Sequence, residues 1–328
     1  MVQSKERHTC FMAVTDSTGG GGERASISHT GNSISVVIPA YNAAKYLPES
    51  LNSVLSQTLP PDEILVIDDG STDDTVAVAS AFPGVRVASY ENAGPSAGRN
   101  RGMALATGDW VAFLDHDDLW LPQKLEKQMR MLNSHPEADV CVTGSQLFQD
   151  VDGKRLFTEP TIPPPSEKLG RSLYGETRLC PSFVIVRRSM LRTVGDFETK
   201  QRKAEDWDYW LRLEQAGARF VSCPEVLGLY RVHAANASKG AWLMYEGEME
   251  TYERRIAPGI HPILRPFRRL SVKSRFLAGI SLEERPQGRP HLRIMLRSIF
   301  TWPFGRWYRY TIAFYMLMQK MGLMPRSL

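Results

Sequence analysis

The chain has 328 residues, of which 42% are hydrophobic and 23% charged. It is therefore long enough for one large core, alone or with an appended segment. Four cysteines (Cys10, Cys141, Cys180 and Cys223) are widely spaced and form no CxxC pair. This spacing disfavours a zinc site or a disulfide framework and indicates small apolar side chains in a reduced compartment. We see no apolar signal segment and no run of about 18 apolar residues, so we expect neither secretion nor a membrane-spanning helix.

The formal net charge of +4 is unevenly distributed along the chain. From His261 to Leu328 there are 13 Lys/Arg against two acids, which leaves 27 Lys/Arg against 34 acids in the rest. A mildly acidic body therefore precedes a basic tail that is also rich in Trp, Phe, Tyr and Met. We expect residues 241–328 to form a helical extension with a role separate from that of the body.

Residues 1–32 are rich in Gly and Ser and predict a disordered lead. From Ile34 to about His135 apolar strands alternate with helical patterns, in the order "ISVVIPA", "YLPESLNSVLSQ", "EILVIDD", "TDDTVAVASAF" with Thr72 or Asp73 as cap, "VRVASY", "GPSAGRNRGMALATG", "WVAFLDHDD" and "LPQKLEKQMRMLNSH" with Pro122 in its first turn. The strands are continuous apolar runs, which is typical of a parallel sheet covered on both faces by helices. The sequence predicts an α/β fold.

The pattern becomes mixed after Asp150. A hairpin is expected at "FQDVDGKRLF", followed by the Pro-rich loop "PTIPPPS" and a strand "SFVIVRR". A helix around "EDWDYWLRLEQAG", a strand ending in "LGLYRVH" and a helix near "AWLMYEGEMETYERR" come next.

Polar clusters follow three of the predicted strands: Tyr41-Asn42, Asp68-Asp69 and Asp115–Asp118. In open α/β sheets ligands bind beyond the carboxyl ends of the strands, so these clusters should meet in one crevice. One aspartate could cap the helix expected near Leu121, and Asp117 or Asp118 could serve in this way. Three aspartates are more than a helix cap needs. The cluster therefore favours a site for a hard divalent cation, Mg²⁺ or Mn²⁺, that binds a nucleotide diphosphate.

Five blocks in order, "SVVIPAYNAAKYLPESLNSVLSQT", "ILVIDDGSTDDT", "NAGPSAGRNRG", "FLDHDDLW" and "AEDWDYWLRL", resemble glycosyltransferase family 2 over about Ser33 to Ser238. The resemblance implies an inverting enzyme with a GT-A fold, a Rossmann-like mixed and mainly parallel sheet flanked by helices. It implies a GT-A domain over residues 33–240, with a nucleotide-binding half (33–135) and an acceptor half (136–240). The donor would be a nucleotide-diphosphate sugar and the acceptor a glycan or lipid-linked hydroxyl, in polysaccharide or glycan biosynthesis.

The resemblance also implies a role for individual residues. The nucleotide-binding set is Pro39, Ala40, Tyr41, Asp68, Asp69, Arg99 and Asp115, where Asp69 or Asp68 reaches the base and Asp115 the ribose. Asp115 and Asp117 match the DxD motif, with Asp117 on the metal side. His233 resembles a histidine that closes on the metal or the diphosphate, and Asp206 matches the general base. From the residues alone, Tyr41 could equally be core packing, and Arg99 and Arg101 could be solvated helix charges.

Helical spacing adds an independent argument for Asp206. It heads a stripe that includes Tyr209, Trp210 and Leu213, which predicts that its side chain looks inward. Asp208 is predicted to be an exposed partner of Arg212 at i,i+4. Deprotonation of an attacking acceptor hydroxyl requires one general base, and Asp206 is the carboxylate in the unusual place.

Other functions fit less well. A sugar nucleotidyltransferase would need a glycine-rich basic loop where this chain has "PAYNAAKY", and a nicotinamide oxidoreductase would need GxGxxG there. A non-catalytic sugar-nucleotide or membrane-binding module is the remaining alternative. For the tail, a peripheral membrane contact and a homodimer are both open, whereas no nucleic-acid partner is expected. We expect a cytoplasmic protein, with the inner face of the membrane as a second location.

Overall fold

The computed structural model describes residues 32–175, 179–201, 203–233, 241–283 and 291–304, together with residues 310, 313, 314 and 316–318. The predicted disordered lead and Cys10 lie outside the described residues, as does most of the chain after residue 304. Two compact units are present. The first contains the described residues up to Thr199 together with Tyr209–His233, and the second contains Lys200–Asp208 together with the described residues after His233.

The first unit alternates strands and helices as predicted. Its elements, in chain order, are β1 (Ile34–Ala40), α1 (Leu47–Leu55), β2 (Glu63–Asp68), α2 (Thr75–Ser80), β3 (Val85–Ser89), α3 (Pro95–Leu105), β4 (Trp110–Phe113), β5 (Leu119–Trp120), α4 (Lys124–Ser134), β6 (Val140–Val151), β7 (Lys154–Phe157), α5 (Ser166–Ser172), a 3-10 turn (Pro181–Phe183), β8 (Val184–Arg187), α6 (Arg188–Val194), α7 (Glu205–Gln215, of which residues 209–215 belong to this unit) and β9 (Phe220–Arg231).

Among the described residues these strands form one sheet in the order β3-β2-β1-β4-β8-β6-β9-β5, with β7 paired to β6. The strands β3, β2, β1 and β4 run parallel, whereas β8 is antiparallel to both β4 and β6. The predicted hairpin is confirmed at β6–β7, where Asp152 and Gly153 both have positive φ, as a tight two-residue turn requires. The mixed α/β fold is therefore confirmed.

Both faces of the parallel strands are covered. On one face, alternate residues of β1 (Ile34, Val36, Ile38) pack in a core with the apolar sides of α1 and α4. On the other face, α3 packs against β1, and Phe113 of β4 meets Trp210 at 6.5 Å between ring centroids. Burial of both faces explains why these strands are continuous apolar runs.

The starts of two helices can be compared with the sequence expectation. At α2 the carboxylate of Asp73 accepts the Thr75 N–H at 3.1 Å, so Asp73 rather than Thr72 satisfies the first turn. At α4 the helix begins at Lys124, after Gln123, which makes no side-chain cap hydrogen bond. The interpretation of Asp117 or Asp118 as the cap of this helix is therefore wrong.

The second unit is helical. It contains the start of α7 (residues 205–208), α8 (Ala241–Thr251), a π-helical turn (Tyr252–Ile256), a 3-10 turn (Ala257–Gly259), α9 (Arg265–Glu283) and α10 (His291–Thr301). Leu277, Ala278 and Met295 are fully or nearly fully buried between its helices. Among the described residues, no helix combines the length and the apolar character needed to cross a bilayer.

Candidate active site

The carboxyl ends of β2, β1 and β4 lie side by side, because these three strands are neighbours and parallel. The polar clusters after them therefore share one edge of the sheet, as predicted. At the end of β1, Pro39 and Ala40 are buried whereas the Tyr41 side chain is 46% exposed. Tyr41 is thus not a core aromatic. The next residue, Asn42, has φ 47° and its Oδ1 accepts the Thr72 N–H at 2.9 Å, which ties the turn after β1 to the turn after β2.

The two aspartates at the end of β2 are both buried but have different partners. Asp69 accepts the N–H groups of Ala93 (3.0 Å) and Gly94 (2.7 Å) and pairs with Arg101 at 2.7 Å. Asp68 accepts only the Ser71 N–H, at 3.1 Å on Oδ1, among the described residues. Asp69 therefore shapes the loop before α3, whereas the second carboxylate oxygen of Asp68 has no partner among the described residues.

The helix α3 brings an arginine to the turn after β4. Two glycines let α3 approach β1 closely, because a Cβ on Gly102 would lie 2.2 Å from Val37 Cγ1 and one on Gly98 would lie 3.0 Å from Pro39 Cβ. On this tightly seated helix, Arg99 is buried and its Nη2 lies 2.8 Å from Asp115 Oδ1. Arg99 and Arg101 each pair with an aspartate, so neither is a solvated helix charge.

The turn Asp115–Asp118 uses its carboxylates in two ways. The Asp115 N–H donates to Ser182 Oγ at 3.0 Å. Asp118 is fully buried, accepts the Ser182 hydroxyl at 2.5 Å, and accepts the Arg231 N–H at 3.0 Å. Burial raises the pKa of Asp118 well above its usual range, and the nearby Asp117 and Asp115 carboxylates raise it further. Asp118 thus holds the turn to β9 and to the 3-10 turn before β8.

Asp117 and His233, which the family resemblance assigns to one metal or diphosphate, lie close together. Asp117 Oδ2 lies 2.8 Å from His233 Nε2, and both side chains are largely but not fully buried. The His233 ring stacks on Tyr46 with centroids 4.7 Å apart. The buried Arg231 donates from Nε to the Asp117 carbonyl at 2.8 Å, and its guanidinium also contacts Glu49 and Asp150. Tyr46 therefore fixes the imidazole of His233, and Arg231 fixes the backbone of Asp117.

Two sets of ligand atoms in or next to this turn could hold a divalent cation. Ligand atoms of Asp115, Asp118 and Cys180 lie within 4.8 Å of one another. However, burial and the neighbouring carboxylates raise the pKa of the Cys180 thiol well above its usual range, and a protonated sulfur is a poor ligand for a hard cation. The carboxylate of Asp117 with the imidazole of His233 offers O and N donors and suits Mn²⁺ or Mg²⁺ better.

Asp206 belongs to the second unit, at the start of α7. Its Oδ1 accepts the Trp207 N–H at 2.7 Å, and the side chain is partly exposed. The stripe behind it is confirmed as buried at Tyr209, Trp210 and Leu213. The expectation for Asp208 is wrong: it is 0% exposed and lies 2.6 Å from Arg255 Nε. The helical spacing placed Asp208 on the outer side, but α8 and the turn after it supply Arg255 and cover that side.

Sequence reasoning missed three residues that hold the site: Ser182, Arg231 and Tyr46. Each contacts a motif residue that is far away in the chain, as Ser182 and Asp115 are separated by 67 positions and Arg231 and Asp117 by 114. Arg231 was the most detectable, since a buried arginine next to the "YRVH" histidine requires a partner.

Comparisons with known proteins agree with the resemblance. The model of a family described as glycosyl transferase family 2 matches residues 35–195. An uncharacterized glycosyltransferase of Rickettsia typhi is 31% identical over 231 residues, which cover 67% of this chain and 69% of that protein. EpsE of Bacillus subtilis, which bears a glycosyltransferase name, is 32% identical over 209 residues (61% of this chain, 73% of EpsE). TuaG of the same organism, named for teichuronic acid biosynthesis, is 30% identical over 216 residues (64% and 82%).

Solved structures share the fold. S. aureus TarS (residues 1–349) in complex with UDP-GlcNAc has a TM-score of 0.58 at 22% identity, with 82% of this chain and 81% of that chain covered. The mannosyltransferase PcManGT from Pyrobaculum calidifontis, in complex with GDP-Man and Mn²⁺, has a TM-score of 0.57 at 17% identity (88% and 80%). At these identities the likeness concerns the fold, which is that of the GT-A glycosyltransferases.

Proposed function

The chain belongs to glycosyltransferase family 2, and we propose that it transfers a hexose from a nucleotide-diphosphate sugar to an acceptor hydroxyl with inversion of configuration. The observation that carries the proposal is the turn after β4, where Asp115 pairs with Arg99 and Asp117 with His233. Carboxylates that pair with an arginine and a histidine at the carboxyl edge of a parallel sheet suit a charged ligand that can exchange with those partners. In this proposal residues 33–135 bind the nucleotide and residues 136–240 contribute the acceptor half.

The nucleotide pocket would be built from the turns after β1 and β2. The exposed Tyr41 ring would stack on the base, and Pro39 and Ala40 would form the floor. Asp68 would accept a base N–H, since one of its oxygens has no partner among the described residues, while Asp69 would hold the surrounding loop. The likeness to proteins solved with UDP-GlcNAc and GDP-Man supports this donor class but does not choose between the two bases.

A divalent cation would be held by Asp117 and His233. When bound, it would act as a Lewis acid that stabilises charge on the departing nucleotide diphosphate. Without a cation the aspartates of this edge would repel a diphosphate, because like charges at close range oppose binding. Asp115 would accept from a ribose hydroxyl, with Arg99 orienting its carboxylate.

Asp206 would act as the general base. As the acceptor oxygen forms its bond to the anomeric carbon, its proton would pass to the Asp206 carboxylate and the bond from that carbon to the phosphate oxygen would break. A single displacement of this kind inverts the anomeric centre. The partial exposure of Asp206 and its position at the start of a helix with a buried stripe support this role.

The similarity to EpsE and TuaG supports a role in polysaccharide biosynthesis, with a glycan or a lipid-linked sugar as acceptor. A nucleotidyltransferase is not favoured, because the relatives bear glycosyltransferase names. A non-catalytic module of the same family is distinguished by the following test.

The test has two stages. A thermal-shift panel of UDP- and GDP-sugars, with and without Mn²⁺, identifies the donor through ligand stabilisation. Transfer by Asp206→Asn is then compared with transfer by Glu205→Gln, its neighbour on α7. We expect Asp206→Asn to retain donor affinity and to lose about 10²- to 10⁴-fold in transfer rate, the usual contribution of general base catalysis. Anomeric configuration of the product, read by NMR, tests inversion.

Near-normal transfer by Asp206→Asn would refute this assignment of the base. A wild-type protein that binds a donor, yet transfers it to no acceptor or water, would favour the non-catalytic module instead.

A further inference from the structure

The second unit carries a group of large exposed apolar side chains at one end of its helix pair. We name this group the apolar end, and it consists of Ile263 and Leu264 just before α9, Phe267 and Leu270 in its first turns, Phe300 in the last turn of α10 and Phe304 just after it. The half-buried Trp302 lies among them. Phe300 and Phe304 are 82% and 83% exposed and Ile263 is 71% exposed. So large an apolar cluster on a surface usually marks a binding face.

The packing of α9 and α10 gathers these side chains. Ser274 Oγ donates to the Ser298 carbonyl and Ser298 Oγ donates to the Ser274 carbonyl, both at 2.7 Å, which locks the two helices side by side. Phe267, Trp302 and Phe304 form a chain of ring contacts with centroids 6.5 and 5.5 Å apart. The first turns of α9 and the last turn of α10 are therefore neighbours.

The core of the helix pair lies elsewhere along the same helices. Leu277 and Ala278 of α9 and Met295 of α10 are buried, so the apolar end is not needed to fill the core. The exposed apolar residues recur at positions 263 and 264 in the turn before α9 and at 267 and 270 within it, a spacing that keeps them on one side. These side chains remain in solvent in the part of the chain that the structure describes.

Basic side chains lie next to the apolar end on both helices. Residues 261–304 contain nine Lys/Arg and two acids, Glu283 and Glu284. Arg268, one residue after Phe267, and Arg297, one helical turn before Phe300, are exposed, whereas Arg269 is offset by Glu253 of the preceding turn. Aromatic residues together with arginines are the composition of surfaces that insert into the headgroup region of an anionic bilayer.

We propose that the apolar end docks the protein on an anionic membrane surface. Charge complementarity selects this occupant over a second copy of the chain. In a twofold dimer the same patch would face itself, so that the arginines of both copies would be brought together. The proposal does not depend on the transfer reaction. Its use, to bring the enzyme to a lipid-linked acceptor, rests on the proposed function.

Vesicle co-sedimentation tests the proposal. The full chain is mixed with vesicles of phosphatidylcholine alone or of phosphatidylcholine with phosphatidylglycerol, at low and high salt. We expect binding to the anionic vesicles only, weakened by salt because exposed charges are screened. Phe300→Ser combined with Phe304→Ser should reduce that binding by about tenfold or more, since two deeply inserting rings are lost.

The matched control is Leu156→Ser combined with Phe157→Ser, an exposed apolar pair on β7 of the first unit (56% and 51% exposed), which should bind like the wild type. Arg268→Gln combined with Arg297→Gln should weaken binding to anionic vesicles and reduce its salt dependence. Three outcomes would overturn the proposal: no binding to any vesicle, equal binding to neutral and anionic vesicles, or a dimer in sedimentation velocity that the Phe300/Phe304 variant dissociates. A wild-type protein that binds the anionic vesicles but transfers no sugar would contradict the proposed function and leave the docking proposal standing.

Discussion

Two acidic turns at the same edge of the sheet, Asp68-Asp69 after β2 and Asp115–Asp118 after β4, show how differently neighbouring carboxylates can be used. In the first turn, Asp69 receives two backbone N–H groups and Arg101. In the second, the buried Asp118 receives a hydroxyl and a backbone N–H. In each turn, therefore, one carboxylate accepts hydrogen bonds that hold the local structure.

The remaining carboxylates differ in what they face. Asp68 contacts only the Ser71 N–H among the described residues, whereas Asp115 and Asp117 face the cationic or basic side chains of Arg99 and His233. A ligand could bind Asp68 without displacing a side chain, whereas at Asp115 or Asp117 it would have to replace Arg99 or His233 as the partner. The comparison teaches that a conspicuous "DHDD" motif contains one aspartate that holds the turn and two that pair with side chains from elsewhere in the chain.

The largest effect is expected at Asp117. Asp117→Ala should abolish nucleotide stabilisation by Mn²⁺ and reduce transfer by at least about 10³-fold, because it removes the carboxylate proposed for the cation. The measurement is a thermal shift with donor, with and without chelator, followed by a transfer assay. Asp74→Ala, an exposed carboxylate of the turn after β2, is the control and should leave both unchanged. Nucleotide binding that is equal with and without metal in the wild type would contradict this role.

A smaller effect, on folding rather than on the ligand, is expected at Asp118. Asp118→Ala would leave the buried Arg231 N–H and Ser182 hydroxyl without their acceptor, at a cost of about 2–4 kcal/mol in the free energy of unfolding. Urea denaturation of Asp118→Ala and Asp115→Ala provides the comparison, and we expect Asp115→Ala to lose less than half as much. Similar losses in the two variants would mean that Asp118 is not the structural member of the turn.

The smallest effects are expected in the turn after β2. Asp69→Ala should lower the free energy of unfolding by about 1–2 kcal/mol, because two N–H groups and Arg101 lose a common acceptor. Asp68→Ala should change stability less but weaken donor binding several-fold. Urea denaturation and donor titration of both variants separate the two effects. A larger loss of stability in Asp68→Ala than in Asp69→Ala would reverse the assignment.

The parallel half of the sheet was predictable because its signals are local. Continuous apolar runs and following turn residues gave β1 to β4 and the clusters after them. The two-residue strand β5 (Leu119–Trp120) was missed, since so short a strand is defined by its partner β9 and not by its own pattern. The burial of Asp208 could not be predicted either, because its partner Arg255 lies 47 positions later in the chain.

For the candidate site, the family pattern named the residues proposed to face the ligand but not the residues that support them. The resemblance assigned Asp117 and His233 to the same metal or diphosphate, and in the structure the two side chains are in contact. The different contacts of Asp115, Asp117 and Asp118 depend on Ser182 and Arg231, which lie far from the turn in the chain. Spacing along the chain carries no record of such contacts, so burial of Asp118 had no sequence signal.

The close seat of α3 on β1 has a consequence for how this enzyme could change its donor over evolutionary time. Gly98 and Gly102 meet β1 at van der Waals distance, so almost any larger side chain there would push α3, and Arg99 with it, away from the sheet. Tyr41, by contrast, is 46% exposed just after β1, where substitution should disturb the packing less. Under the proposed function, new base preferences should therefore arise at the turn after β1, while the two glycines stay fixed and keep Arg99 next to Asp115.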